Sequence, residues 1–113
     1  MSNLVIIKHK LKNFNKKITV SGDKSLSIRW VLFSSIADGA SKARNLLMSD
    51  DVYAAIDAIR KLGVKVTIKK KFCKIFGNGI NGYKYKKNLV IDAQNSGTLG
   101  RLILGLLVNS PTS

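Results

Sequence analysis

A seven-residue pattern occurs twice in this chain, as Asp23-Lys-Ser-Leu-Ser-Ile-Arg29 and as Asn95-Ser-Gly-Thr-Leu-Gly-Arg101. Each copy follows an extended apolar run, begins with a residue favoured at helix N-caps, and places an arginine six residues after that cap. Small or hydroxyl residues fill the predicted first turn. Because the first backbone N–H groups of a helix are unpaired and its dipole is positive there, such a start favours an anion. The repeat therefore predicts two strand-to-helix junctions and a ligand, or a ligand pair, with more than one phosphate or carboxylate.

The hydrophobic pattern along the chain predicts alternating strands and helices. Strands are predicted at Leu4–Lys8, Lys16–Val20, Ala43–Met48, Val64–Ile68, Phe72–Phe76 and Leu89–Asp92. Helices are predicted at Lys24–Ala37, from the Ser49-Asp50 cap to Leu62, and at Ser96–Val108. On the first helix the apolar stripe is Leu26, Trp30, Phe33 and Ala37, and the last helix is apolar on nearly every face, which predicts burial all round. The order is β-α-β-α-β-β followed by β-α, which predicts an α/β (α+β) fold with one complete unit and the start of a second. We therefore interpret the chain as an N-terminal fragment.

Composition allows one modest globular domain and leaves two interpretations of the charge. The formal net charge is +14, from 20 Lys and Arg against 6 acidic residues. This excess raises nucleic-acid binding as a possibility, but most of the cations are lysines, and a solvated Lys-rich surface is the simpler interpretation. Aromatic residues make up only 7%, and Tyr83-Lys-Tyr-Lys-Lys87 interleaves tyrosines with lysines.

The single Cys73, the short apolar N-terminus and the absence of a long apolar run predict a soluble cytoplasmic protein.

Four motifs together resemble the 5-enolpyruvylshikimate-3-phosphate synthase (3-phosphoshikimate 1-carboxyvinyltransferase) family. They are Ser21-Gly-Asp-Lys-Ser-Leu-Ser-Ile-Arg29, Asn45-Leu-Leu-Met-Ser-Asp-Asp-Val52, Lys61-Leu-Gly-Val64 and Asn95-Ser-Gly-Thr-Leu-Gly-Arg101. They follow the family's order at nearly its spacing, from about Ile18 to Leu107. Each motif alone is weak evidence, whereas four in order are specific.

The resemblance implies a longer, monomeric enzyme of two similar domains, each built from three β-α-β-α-β-β units. Residues 1–17 then form an N-terminal strand segment of the other domain. Residues 18–113 form an incomplete domain, with unit 1 at about 18–77 and the start of unit 2 at about 88–108. The implied reaction moves the enolpyruvyl group of phosphoenolpyruvate to the 5-hydroxyl of shikimate 3-phosphate, on the way to chorismate and the aromatic amino acids. It releases phosphate and uses no metal or organic cofactor. The implied partners are the two substrates and the remainder of the enzyme, with no membrane and no specific nucleic acid.

The resemblance also implies roles for individual residues. Lys24 contacts both substrates, and Ser25 and Arg29 bind shikimate 3-phosphate. Gly97 approaches phosphoenolpyruvate through its backbone, and Asp51 joins Lys24 as a candidate catalytic residue near the cleft. The supporting residues are Asn95, Thr98 and Arg101. The family's acid and base groups lie beyond residue 113, so we expect no turnover by this chain alone.

Two alternatives remain open from the sequence. A related enzyme class transfers enolpyruvyl to UDP-N-acetylglucosamine, but it usually has a Lys-Asn pair where this chain has Lys24-Ser25. A small basic nucleic-acid-binding module is the alternative from a different class, and steep salt dependence of oligonucleotide binding would distinguish it.

Overall fold

The computed structural model describes residues 3–70, 72–108 and 110. Along them the elements are α1 (Lys24–Ile36), β1 (Asp38–Arg44), α2 (Asp50–Lys61), β2 (Lys65–Lys69), β3 (Phe72–Asn78) and α3 (Gly97–Leu107). Mixed helices and antiparallel strands agree with the predicted α/β (α+β) class.

The strands form one antiparallel sheet in the order β1-β3-β2. In β1, Asp38 pairs with Asn78 and Arg44 with Phe72, while the first residue of β2, Lys65, pairs with Phe76. Gly77 is required where β3 passes the end of α1, since an added Cβ would collide with the carbonyl oxygens of Ala37 and Ser34. The sheet is thereby fixed closely against the first helix.

The core lies between the helices and the inner face of the sheet. The apolar positions of α2 follow helical periodicity and are buried, with Val52 and Ile59 at 0% exposure. From the sheet, Cys73 and Ile75 point into the same core. Burial raises the pKa of the Cys73 thiol, and the nearby Arg60 guanidinium opposes that shift. The thiol is therefore protonated and enclosed at neutral pH.

The second helix carries charges that match its dipole. Asp50 and Asp51 occupy its first turn, and Arg60 and Lys61 its last turn. The chain then turns at Gly63, whose φ of 87° is in the left-handed region. This is the predicted end of the helix, because glycine adopts that conformation without a steric penalty.

Several strand predictions are wrong. Residues 3–23 contain neither helix nor strand, so the strands predicted at Leu4–Lys8 and Lys16–Val20 are absent, as is the one at Leu89–Asp92. None of these segments has a hydrogen-bonding neighbour strand among the described residues, and an apolar run alone does not form a sheet. β1 begins at Asp38, five residues before the predicted Ala43, because its pairing with β3 determines its extent.

Two predictions about helix burial are also wrong. Leu26 and Phe33, assigned to the apolar stripe of α1, are 66% and 62% exposed, and the buried face instead carries Ile28 and Val31. The last helix was expected to be buried all round, but Leu99 and Ile103 are its buried residues. Its other apolar side chains include the exposed Leu102, Leu104 and Val108. Both helices are apolar on more than one face, so the sequence pattern does not select the face that packs.

Candidate functional site

The start of α1 is fixed by hydrogen bonds from two directions. The Asp23 carboxylate caps the helix by accepting the Leu26 N–H at 2.8 Å, as the sequence predicted. The Asn45 side chain donates to the Val20 carbonyl at 2.6 Å, and the Ser27 hydroxyl accepts the Leu47 N–H at 3.1 Å. The loop after β1 therefore holds both the segment that enters α1 and its first turn.

Close packing at this junction explains why the residue after Ser21 is a glycine. A Cβ added to Gly22 would lie 2.6 Å from the Leu47 backbone nitrogen and 2.7 Å from the Asn45 carbonyl oxygen. Neither backbone atom can move away without disturbing the loop. Gly22 is thus a structural requirement for the position of the α1 N-terminus.

The first residue of α1 forms an ion pair with the start of α2. The Lys24 ammonium lies 3.0 Å from the Asp51 carboxylate, and the two side chains are 52% and 17% exposed. The Asp51 side chain is thus the better enclosed partner. Two predicted site residues from separate motifs are therefore brought together at a meeting point of two helix starts.

Ser25 and Arg29 follow on α1, four residues apart, and so lie on one side of the helix. Ser25 is half-buried and Arg29 is exposed. Arg29 also lines a small groove with Phe33 of α1 and Leu102 of α3. The guanidinium is therefore available to solvent at the junction of α1 and α3.

The start of α3 differs from the prediction by one residue. The N-cap is Ser96, whose hydroxyl accepts the Leu99 N–H at 3.0 Å, and the helix begins at Gly97. Asn95 lies in the preceding turn and is exposed. Arg101 consequently stands five residues after its cap, whereas Arg29 stands six after Asp23. One residue corresponds to a rotation of about 100° around an α-helix. Measured from the start of each helix, the two arginines therefore point in different directions, and the two copies of the sequence pattern are not equivalent in structure.

Gly97 is exposed, and a Cβ added there would meet nothing within 4 Å. The chain itself therefore places no steric demand for glycine at this position. Thr98 is half-buried and Arg101 is exposed. Between the described residues, no hydrogen bond or ion pair joins these residues or Asn95 to the Lys24–Asp51 pair.

Two buried polar groups were not predicted. The Ser49 hydroxyl, at the N-cap of α2, is buried and has no hydrogen-bond partner among the residues that the structure describes. The Tyr83 hydroxyl lies 2.6 Å from the Ser35 hydroxyl in the core, and Ser35 also donates to the Leu32 carbonyl. Burial raises the pKa of Tyr83, and its hydrogen bond to Ser35 opposes that shift. The pattern of tyrosines among lysines gave no signal of this burial.

Other depressions among the described residues exceed the groove beside Arg29 in volume. One, of about 310 Å³, borders the start of α1 between Gly22, Trp30 and Asn45. Another, of about 340 Å³, lies between Leu62, Tyr85 and Leu107. Among residues 3–70, 72–108 and 110, no group of three His, Cys, Asp or Glu side chains is placed to hold a metal ion. Over the same residues, no helix has the length and hydrophobicity needed to span a membrane.

Comparison with known proteins identifies the group to which this arrangement belongs. Residues 8–112 match the family model described as EPSP synthase (3-phosphoshikimate 1-carboxyvinyltransferase). The chain belongs to the EPSP synthase family. This confirms the resemblance drawn from the four motifs and places both helix starts inside the matched region.

Individual EPSP synthase relatives agree in sequence and in structure. A 3-phosphoshikimate 1-carboxyvinyltransferase from Bacillus cytotoxicus is 43% identical over 100 residues, which cover 88% of this chain and 23% of that protein. A protein of the same name from a Sulfurihydrogenibium species is 40% identical over 98 residues, which cover 87% of this chain and 22% of that protein. The solved EPSP synthase from Acinetobacter baumannii superposes with a TM-score of 0.73 at 34% identity, covering 84% and 22%. The chain thus spans less than a quarter of the length of the relatives that it matches.

Proposed function

We propose that this chain forms part of a 3-phosphoshikimate 1-carboxyvinyltransferase. The enzyme moves the enolpyruvyl group of phosphoenolpyruvate to the 5-hydroxyl of shikimate 3-phosphate and releases phosphate. Family membership supports the reaction. Within the chain, the ion pair of Lys24 and Asp51 is the observation that carries the proposal, because it links residues of two family motifs at two helix starts.

Lys24 is well suited to hold an anionic substrate without leaving Asp51. An ammonium group has three N–H donors, and the contact with Asp51 at 3.0 Å uses one direction. The others can reach a phosphate or carboxylate, since the Lys24 side chain is half exposed. Asp51 then acts by positioning the ammonium, and Lys24 stabilises negative charge on both substrates.

Ser25 and Arg29 supply the second half of the anion site in this proposal. The Asp23 cap occupies the Leu26 N–H but not the N–H groups of Lys24 and Ser25, and the Ser25 hydroxyl can rotate to donate beside them. Arg29 adds a planar guanidinium about one turn later. A shikimate phosphate bound there would receive charge-assisted hydrogen bonds from the same helix. Gly97 at the first position of α3 would let phosphoenolpyruvate approach the backbone closely. Asn95, Thr98 and Arg101 support that helix start.

The larger architecture is part of the same proposal. Residues 1–17 would belong to the other domain of the whole enzyme, where a neighbouring strand would supply the pairing that residues 3–17 lack within this chain. Residues 18–113 would supply one complete unit and the beginning of a second in this domain. The exposed apolar side chains of α3 support further packing in a longer polypeptide. We place the whole enzyme, as a monomer, in the cytoplasm on the pathway to chorismate.

The test is an NMR titration of the 113-residue chain with shikimate 3-phosphate, following the backbone amides of Lys24–Arg29. We expect saturable shifts that Arg29→Ala abolishes. Arg60→Ala is the matched control, because it removes the same charge from the last turn of α2. Equal loss in both variants, or no shift in a folded sample, would contradict a binding half-site in this chain. Phosphate release from phosphoenolpyruvate by the chain alone would contradict the expectation that acid and base groups are missing.

A further inference from the structure

The outer face of the three-stranded sheet concentrates cations and aromatic rings. Residues directly opposite in an antiparallel sheet share a face, and neighbours along a strand alternate faces. Because Cys73 and Ile75 are buried in the core, the opposite face carries their neighbours on β3 and the partners of those neighbours. We call this surface the cationic face; its side chains are Ala40, Lys42, Arg44, Lys65, Thr67, Lys69, Phe72, Lys74 and Phe76.

Five of these nine side chains are Lys or Arg, and two are Phe. In the three strands the one acidic residue is Asp38, at the very end of β1 opposite Asn78. Lys42 and Arg44 lie on β1, and Lys65 and Lys69 on β2, so cations flank the central strand on both sides. The face therefore has a strongly positive potential with little internal neutralisation.

The rings lie along the central strand between the two rows of cations. Phe72 and Phe76 are half-buried and separated by Lys74, a distance of about 13 Å along an extended strand. The Lys74 and Lys65 ammonium groups lie 4.5 and 5.3 Å from the centre of the Phe76 ring. Cation–π contacts keep these lysines on the face, where they are positioned for anions beside the ring.

A depression continues the cationic face at the Phe72 end. It is lined by Thr19, Arg44, Asn45, Lys69, Lys70 and Phe72. Its cations are Arg44 from one segment of the chain and Lys69 and Lys70 from another. The positive surface thus extends beyond the sheet at this end.

We propose that the cationic face binds single-stranded nucleic acid without sequence preference. Phosphates would contact the lysines and Arg44, including Lys65 and Lys74 held over the Phe76 ring, and a base would stack on Phe72 of the central strand. An acidic polypeptide would use the cations and leave the rings without a planar partner. The alternation of cations and rings therefore favours a polymer that alternates charged and planar groups. The face lies on the side of the sheet away from the helices, so this binding is separate from the proposed substrate site.

Fluorescence anisotropy with a labelled oligouridylate of about twelve nucleotides tests the proposal. Phe72→Leu keeps an apolar side chain and every charge, and we expect at least about fivefold weaker binding from lost stacking. The pair Lys42→Gln and Lys69→Gln should reduce the slope of log affinity against log salt by about 1.4, if each lysine neutralises one phosphate. Because both lysines are exposed, this pair tests the face even if Phe72→Leu disturbs folding.

The matched control is the pair Lys86→Gln and Lys87→Gln, which removes the same charge from an exposed segment outside the sheet. The proposal requires the control to bind the oligouridylate with the salt dependence of the unaltered chain and with only a small loss of affinity. Equal effects of the two lysine pairs would overturn it, since the binding would then follow net charge alone. Competition by polyglutamate as effective as by unlabelled oligouridylate would overturn it too, by removing the role of the rings.

Discussion

Three helix caps in this chain have different hydrogen bonding, and their alanine variants should differ accordingly. Asp23 caps α1 with a charge-assisted bond of 2.8 Å, and Ser96 caps α3 with a bond of 3.0 Å. Ser49 occupies the N-cap of α2, but within the described part of the chain its side chain makes no cap hydrogen bond. The three positions form an internal comparison, because each substitution is made at the same position of a helix.

The expected magnitudes follow from these contacts. Asp23→Ala loses the cap, worth about 1 kcal/mol, and a favourable dipole interaction of a few tenths more. Ser96→Ala should lower the free energy of unfolding by about 1 to 2 kcal/mol, because it leaves a nearly buried helix start without its partner. Ser49→Ala should change it by less than about 0.5 kcal/mol or raise it, since a buried hydroxyl without a partner is removed.

Urea unfolding followed by the fluorescence of Trp30, the single tryptophan, provides the assay. Trp30 lies on α1 and packs against the core, so its emission reports loss of that packing. At about 1.5 kcal/mol per molar urea, the Asp23 variant should unfold at a midpoint lower by about 1 M. A Ser49→Ala loss as large as that of Asp23→Ala would refute the reasoning, because it would require a cap bond at Ser49.

Three further predictions concern the ion pair, two glycines and a buried tyrosine. Asp51→Asn should lower the free energy of unfolding by less than about 1 kcal/mol, because Lys24 is half exposed, yet should weaken shikimate 3-phosphate shifts in the NMR titration. Gly97→Ala should leave the free energy of unfolding unchanged or raise it by up to about 1 kcal/mol, because an added Cβ meets nothing there; the urea midpoint measures this. Gly77→Ala should prevent folding, because an added Cβ collides with backbone atoms; circular dichroism measures this. Burial raises the pKa of Tyr83 above its ordinary 10, so the tyrosine loses its proton at a lower pH in the unfolded chain than in the folded one. The free energy of unfolding should therefore fall as pH rises past 10. Tyr83→Phe should flatten that pH dependence, and an unchanged slope would contradict the assignment.

The local signals of helices were sufficient to predict the helices that carry the candidate site residues Lys24 and Asp51. Asp23 before an apolar run predicted the cap of α1, and the hydrophobic pattern predicted a helix from the Ser49-Asp50 cap to Leu62, close to the bounds of α2. These signals depend on residues within one or two turns of each other. The proximity of Lys24 and Asp51 is different, because it came from the family motifs and not from any local pattern.

Properties that depend on distant pairing could not be predicted in this way. The bounds of β1 depend on its register with β3, which the apolar pattern of β1 does not encode. Ser96 replaced Asn95 as the cap of α3, because both residue types favour that position and only the backbone path decides between them. Phe72 and Phe76 fall among cations only after three strands pair, so no local pattern along the chain indicates the cationic face.

The cationic face has a second consequence, for solubility. β1 and β2 each have one neighbour in the sheet, so each has an outer edge whose backbone groups can pair with another chain. Lys42 on β1 and Lys65 and Lys69 on β2 bring like charges to those edges, and repulsion between copies opposes edge-to-edge association. Neutralising these lysines should therefore promote aggregation at high protein concentration before it reduces the stability of the fold.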